Sequence, residues 1–484
     1  MKNNKFFLCT LWGFIFTLSS CVNHTPPESY GPVPKASQMK WHKMEYYMFV
    51  HFGPNTFTDV EWGDGKENPK VFNPANLDCR QWAEIARNAG MKGIILTVKH
   101  HDGFCLWPSQ YSTHTVRESL WKDGKGDVLK EFVAACKEYG LEYGVYVSPW
   151  DRNHPAYGTP EYNRIYANTL AEIYQNYDGA NMFEQWFDGA NGEGPNGKKQ
   201  EYDWTLFEQT SYEANPNMIL FSDIGPDCRW IGNEKGIAGE TNWARLNTAG
   251  FGRGHDAPAN EVLNTGEMDG QHWIPAEADV SIRPGWFYSP FTDDKVKTVN
   301  QLMDIYFTSV GRNANLLLNV PPNREGRIAS VDSLRLMEFK KARENTFAEN
   351  LAVNATISVS EVRGNAKGFS GKNLTDNDYD SYWTTNDATQ TAWVEVDLNE
   401  PKTFNLLLLQ EYIPLGQRIA GFRVDFWNVS TNEWNSLLEA TTIGYKRILR
   451  FPAVTTNKIR IDIQKSLACP VLNNIELYNA PHSL

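Results

Sequence analysis

Three apolar runs of this sequence end in side chains that could do chemistry. "MFVHFG" (48–53) carries His51, "GIILTVKHH" (93–101) ends on His100 and His101, and "NMFEQWFDG" (181–189) carries Trp186 and Asp188. In an extended strand Trp186 and Asp188 share a face while Phe187 turns away, so an indole plane and a carboxylate would point into one pocket. Taken alone, the W-F-D-G stretch reads as an Asp capping a turn beside Gly189; the other polar strand ends shift that balance. Acid–base work at a carboxylate site needs a second carboxyl, one group attacking or activating water while the other hands over a proton. Asp223, Asp227, Glu234, Glu240 and Glu277 follow in later segments. Glu234, in "RWIGNEKG", is flanked by Gly232 and Gly236, a loop free to lean over a pocket. The rival chemistry is a divalent metal held by His51, His100, His101 and Asp188. Against it, no H-x-H or H-E-x-x-H spacing is present, and adjacent His100 and His101 would point to opposite sides of a strand.

The elements that must position these residues alternate. Short apolar runs, continuing with "YGVYVSPW", "MILFSDIG" and "ANLLLNVPP", are separated by amphipathic helical segments. "DCRQWAEIARNAG" has Asp78 as cap and Gly90 as stop, and "DVLKEFVAACKEYG" repeats the design with Asp127 and Gly140. Strand–helix alternation over some three hundred residues reads as α/β with a parallel sheet. No glycine-rich phosphate loop follows the first strand. Strand after strand ends in a polar or aromatic tip, which fits a (β/α)8-like TIM barrel, where all strand C-termini converge on one face. This barrel is expected over residues 38–350. From residue 351 to 484 the texture changes to short period-two runs without helices, an all-β sandwich.

With 41% hydrophobic and 13% aromatic residues the chain can bury a large core. Its 17 Trp and 21 Tyr suit sugar stacking, although most such rings are packing. A net charge of −12 argues against nucleic acid or an anionic membrane surface as partner. Residues 1–20 read as a secretory signal: Lys2 and Lys5, an apolar stretch too short for a membrane span, then small residues. The "LSSC" ending resembles a bacterial lipoprotein signal, which predicts a lipidated Cys21, a linker to residue 37 and attachment to the cell envelope. The remaining cysteines, Cys79, Cys105, Cys136, Cys228 and Cys469, are scattered and odd in number, and read as small buried residues rather than a disulfide framework.

At "MFVHFGPNTF", "KHHDGFCLWPS", "WFDGANG" and "PAEADVSIRPGWFY" the sequence strongly resembles the α-L-fucosidases of glycoside hydrolase family 29, over about residues 38–345. The resemblance implies a somewhat irregular barrel, no cofactor for the chemistry, and retaining release of terminal α-L-fucose from a fucosylated oligosaccharide or glycoconjugate. By the same likeness Asp188 matches the nucleophile. His51, His100 and His101 match residues that hold fucose hydroxyls, Trp186 matches an aromatic of the sugar pocket, and Trp62 and Trp286 are further pocket residues. The chain looks most like the subgroup preferring α-1,3 and α-1,4 fucose on branched, Lewis-type glycans. There the acid/base lies roughly forty-five residues beyond the nucleophile, which points to Glu234, with Glu240 as runner-up. The stretch "GFSGKNLTDNDYDSYWTT" onward resembles discoidin-like (F5/8 type C) sandwiches. Its "TDNDYDSYW" loop matches one that often holds a structural calcium, with Asp376 and Asp378 as ligands and a plain turn as the competing reading. A noncatalytic glycan-binding envelope lipoprotein is the alternative from another class; it predicts a missing nucleophile or broken histidine tips, and both are intact.

Overall fold

The computed structural model describes residues 25–481. The signal segment and Cys21 lie outside the described residues. Eight parallel strands close into a barrel: β1 Tyr46–Val50, β2 Gly93–Lys99, β3 Glu142–Val147, β4 Glu184–Trp186, β5 Ile219–Ser222, β6 Cys228–Trp230, β7 Ala276–Ser281 and β8 Ala314–Asn319. Neighbours in sequence pair in space, and β8 returns to β1 with Tyr46 opposite Leu316. Six of these strands lie in runs expected from the sequence. β6 was missed because three residues carry no periodicity, and β7 because "AEADVS" places two acids in a strand interior.

The helices that pack outside the barrel form where the caps predict. Asp78 accepts from Gln81 N–H at the start of the helix Cys79–Asn88, and Asp127 accepts from Lys130 N–H at the start of Val128–Tyr139. Gly140 closes the second in the left-handed conformation, which costs a residue without Cβ little. The barrel is irregular between β5 and β7. Residues 223–227 link β5 to β6 without a helix, held by the Asp227 carboxylate, which accepts from Leu220 N–H (3.0 Å) and the Tyr212 hydroxyl (2.6 Å). Residues 231–275, between β6 and β7, carry the short helix Asn260–Thr265, a 3-10 turn at Gly254–Asp256 and a two-stranded ladder.

Strand parity decides what enters the barrel. In β1, Tyr46, Met48 and Val50 face the helices, while Tyr47 and Phe49 fill the interior and His51 continues on their side. In β4, Trp186 joins the interior while the next residue, Phe187, packs outward against Trp204, so Asp188 faces in again. Strand β2 departs from this rule. Its register against β3 shifts between Thr97 and Lys99, and it ends at Lys99, so His100 and His101 sit in the following turn. Their rings are 4.2 Å apart instead of on opposite faces, which corrects the strand-based expectation.

The C-terminal region is antiparallel, with strands from Thr356–Val359 to Val471–Tyr478. Two pairs of expected short strands are single long ones, Ala392–Glu411 and Arg447–Ser466. Register shifts between Asp397 and Lys402, and again near Phe404, bend the first across the sandwich instead of ending it. A separate apolar core fills the layers, with Trp383, Phe404 and Phe422 fully buried. The sandwich docks by backbone pairing to the lead-in of β8, Asn313 N–H to Lys446 O (3.0 Å) and Ile448 N–H to Gly311 O (2.9 Å), and by a Lys446–Glu45 ion pair.

Candidate active site

Asp188 lies just beyond β4, at the C-terminal end of the barrel. Its Oδ1 accepts from Ala190 N–H (2.7 Å) and its Oδ2 from the Tyr146 hydroxyl (2.8 Å), leaving the side chain 25% exposed. Burial, then the Asp188 charge, pushes the Tyr146 phenol well above its ordinary value, so Tyr146 is a fixed donor. His101 Nε2 stands 3.7 Å from the same Oδ2.

The imidazoles are held from behind. His51 Nδ1 meets Asn319 Oδ1 at 2.9 Å, and the Asn319 amide nitrogen donates to Ser281 Oγ and Trp286 O. That orientation makes Asn319 Oδ1 the acceptor, puts the proton on His51 Nδ1 and leaves Nε2 with a lone pair. His101 Nδ1 is bound likewise to Ser148 Oγ (2.8 Å), whose own proton goes to Trp150 O (2.8 Å). Burial lowers all three histidines, His51 to about 3, so each is neutral over the ordinary working range. His100, stacked near Tyr146, keeps a buried Nδ1 without a protein partner. Neutral rings with free acceptors beside a carboxylate are suited to the hydroxyls of a polyol.

Glu234 is the second carboxyl of the site. It lines one cavity of about 400 Å³ with Asp188, Asp223 and Asp279, and another of about 690 Å³ with Glu61, Trp62 and Trp286. Burial raises its pKa first, and the charge of Asp188 raises it further. Asp223 accepts from Gly254 N–H (2.5 Å), and Asp279 accepts from the Trp230 indole (2.9 Å); burial raises both. A carboxyl that holds its proton more tightly beside a second carboxyl is the arrangement that acid–base chemistry requires.

The other expected residues divide. Trp186 stacks on Phe221 at 4.0 Å and donates to Glu277 Oε1 (2.8 Å), forming the floor of the cavity. Trp62 is 52% exposed with its edge to His101 and Trp150, and Trp286 lies 5.0 Å from the His51 ring. Glu240 is elsewhere: residues 231–275 carry it back to the opposite end of the barrel, where it meets Arg312 with its side chain 79% exposed. Asp227 stitches the β5–β6 turn, and Glu277 is sealed in the barrel interior against Tyr47, Trp186 and Glu184. Within metal-ligand spacing, among the described residues, the groups that gather are two carboxyls and a thiol, Glu184, Glu277 and Cys228, not His51, His100, His101 and Asp188. Asp376 and Asp378 cap backbone N–H groups of their own loop, and Ser381 Oγ donates to Asp376 Oδ2 (2.8 Å) and approaches the Asp378 carbonyl (3.1 Å), which gathers hard oxygens there. Five cysteines are free and buried, as expected.

Sequence reasoning passed over Tyr146, Asn319, Asp279 and Glu61. Parity could have found the first two, since Tyr146 shares the inward face with Ser148 and Asn319 with Leu317. Glu61 is tied to the site by a distant loop, its carboxylate accepting the Trp286 N–H.

Comparison with known proteins agrees with this fold. The family profile described as Alpha-L-fucosidase matches residues 3–341, and that of the F5/8 type C domain matches residues 356–474. Alpha-L-fucosidase 1 of Arabidopsis thaliana is 40% identical over 481 residues, covering 97% of this chain and 93% of its own. The crystal structure of SpGH29 superposes with a TM-score of 0.88 at 39% identity, covering 94% of this chain and 100% of that one. The Ruminococcus gnavus GH29 fucosidase E1_10125, in complex with fucose, superposes with a TM-score of 0.86 at 34% identity, covering 95% and 97%.

Proposed function

The chain belongs to the α-L-fucosidase family, and on that footing we propose a retaining exo-α-L-fucosidase that removes terminal α-1,3/1,4-linked fucose from branched, Lewis-type glycans. It is a glycoside hydrolase, and fucosidases of this family need no cofactor for catalysis. Asp188 attacks the anomeric carbon as the glycosidic C–O bond breaks, and Glu234 gives its proton to the leaving oxygen. The resulting ester removes the negative charge of Asp188, which lets the Glu234 pKa fall. Glu234 then takes a proton from water as that water cleaves the ester, restoring both carboxyls. His51, His100 and His101 receive the fucose hydroxyls on their free ring nitrogens, Tyr146 holds Asp188 in place, and Trp186 floors the pocket beside Trp62 and Trp286.

The observation that carries this reading is that Asp188 and Glu234 line one cavity while the charge of the first raises the pKa of the second. The test is the anomer of fucose first released from an aryl α-L-fucoside, followed by proton NMR, with Asp188→Ala alongside. α-Fucose as first product, a rate loss of roughly 10⁴-fold or more in Asp188→Ala, and its rescue by azide as the β-fucosyl azide are expected. β-Fucose as first product would remove the retaining mechanism. A wild type that releases no fucose would favour the noncatalytic glycan-binding lipoprotein instead. The linkage preference is read from release of fucose from a Lewis-type trisaccharide relative to the aryl fucoside.

Two further parts of the proposal rest on other residues. The "LSSC" pattern supports a lipid on Cys21 and a place in the bacterial envelope, so Cys21→Ala should leave the membrane fraction. The oxygens around Ser381 fit a hard cation, with Asp376 and Asp378 as the charged ligands, so calcium should raise the melting temperature and Asp376→Asn should abolish that rise.

A further inference from the structure

At the end of the barrel opposite Asp188, a cleft of about 580 Å³ opens between barrel and sandwich. It forms where the lead-in to β8 pairs with the start of the long strand Arg447–Ser466, so that Arg312 bridges Arg447 across the domain boundary. This pairing brings two guanidinium groups to one cleft, and a third, Arg450, follows on the same strand. Their partners are unequal. Arg312 donates to Ala238 O (2.9 Å) and to Glu240 (3.3 Å). Arg450 pairs with Asp304 (2.6 Å) and lies over the Phe307 ring. Arg447 is only 6% exposed, its Nε and Nη1 are buried without a partner, and its side chain makes no hydrogen bond or ion pair among the described residues.

A buried cation whose donors are unpaired is costly. Glu240, the carboxylate that acts on Arg447 from the cleft wall, is already held by Arg312, so a partner for the free donors is sought in the adjoining space. The guanidinium fork matches the paired oxygens of a carboxylate or sulfate. The cleft is far larger than such an ion and has room for more than one sugar residue. Its walls carry sugar-binding chemistry as well: the Thr241 and Thr441 hydroxyls meet across the domain boundary at 2.7 Å, and Gln464 stands at the edge. Glu240 and Glu439 also border the cleft, which disfavours a small free anion and favours a ligand that brings neutral hydroxyls with its charge.

We propose that this cleft is a second binding site, for an acidic saccharide whose carboxylate or sulfate group sits on Arg447 with Arg312 beside it. The saccharide class rests on the fucosidase reading; the oxyanion rests on Arg447 alone. The full chain is titrated calorimetrically with glucuronate, glucose 6-sulfate, inorganic sulfate and neutral glucose, as wild type and as Arg447→Met. Binding of an acidic sugar, absence of glucose binding, a weakening of roughly tenfold or more in Arg447→Met, and unchanged hydrolysis of an aryl fucoside are expected. Binding of sulfate without either acidic sugar means an adventitious ion only and overturns the proposal, as does acidic-sugar binding that Arg447→Met leaves intact, or no binding at all. Should Arg447→Met fail to fold, Gly421→Asp decides. Gly421 lines the cleft, an added Cβ there meets only Lys465 Cβ at 3.8 Å, and the new carboxylate should abolish binding; unchanged binding overturns the site. Failure of the fucosidase reading shows separately, as a wild type that releases no fucose.

Discussion

The Tyr146 hydroxyl donates to Asp188 Oδ2 at 2.8 Å, from the strand next to the one that delivers the carboxylate. The contact holds one carboxyl oxygen of the proposed nucleophile in place, and burial keeps the phenol protonated. Tyr146→Phe retains the ring against His100 and Trp186 and removes only the donor. A hydrogen bond to a charged group is worth about 1.5–3 kcal/mol, so kcat should fall by about ten-fold or more with KM little changed. Steady-state kinetics on an aryl fucoside reads this, and an unchanged kcat would mean that Ala190 N–H alone positions Asp188.

Glu234 and Glu240 separate cleanly in space, so their variants should separate in kinetics. Glu234→Ala should lose about 10²–10⁴-fold on a sugar leaving group, which needs protonation, and much less on an activated aryl fucoside. Glu240→Ala, at the opposite end of the barrel, should behave as wild type on both. Full activity of Glu234→Ala on the trisaccharide would remove it from the acid role.

The pKa of Glu234 is tied to the charge on Asp188. Burial raises the carboxyl first and a negative neighbour raises it further, so removal of that charge in Asp188→Asn should lower the Glu234 midpoint. Carbon NMR of labelled glutamate side chains follows the titration. A midpoint that stays put or rises would break the link that lets one residue act first as acid and then as base.

Asp102, in the His-His-Asp-Gly turn, does not face the sugar pocket. Its Oδ1 accepts from Phe104 N–H (2.7 Å) and its Oδ2 is buried without a partner, and burial pushes its pKa up to about 7. Unfolded, the group ionises near 3.8; folded, it holds its proton up to about 7. The native state therefore binds the extra proton in that window, so this group's contribution to stability falls as pH rises through it and is lowest above about pH 7. Asp102→Asn cannot ionise and keeps the acceptor for Phe104. It should match wild type near about pH 4 and exceed it by about 2–4 kcal/mol at about pH 8. Denaturant unfolding at the two pH values checks this, and an equal gap at both would mean that Asp102 ionises in the native state as readily as in the unfolded one.

The sequence by itself determined the parts governed by short-range rules. Apolar runs, aspartate caps and glycine stops gave the alternation of strands and helices, and parity within "WFD" put Trp186 and Asp188 on one side. The polar strand tips pointed to one face because a closed parallel barrel has only one C-terminal end. Tertiary structure decided the rest. A shift in pairing register at the end of β2 brought His100 and His101 together, which no count of alternating residues foretells. Glu234 and Glu240 are six residues apart, the first favoured and the second its runner-up as text, and the path of residues 231–275 takes one to Asp188 and the other to the sandwich. Tyr146, Asn319 and Glu61 enter the site through neighbours far away in the chain. Their chemistry comes from burial and from the charge of what lies beside them, and both exist only once the barrel has closed.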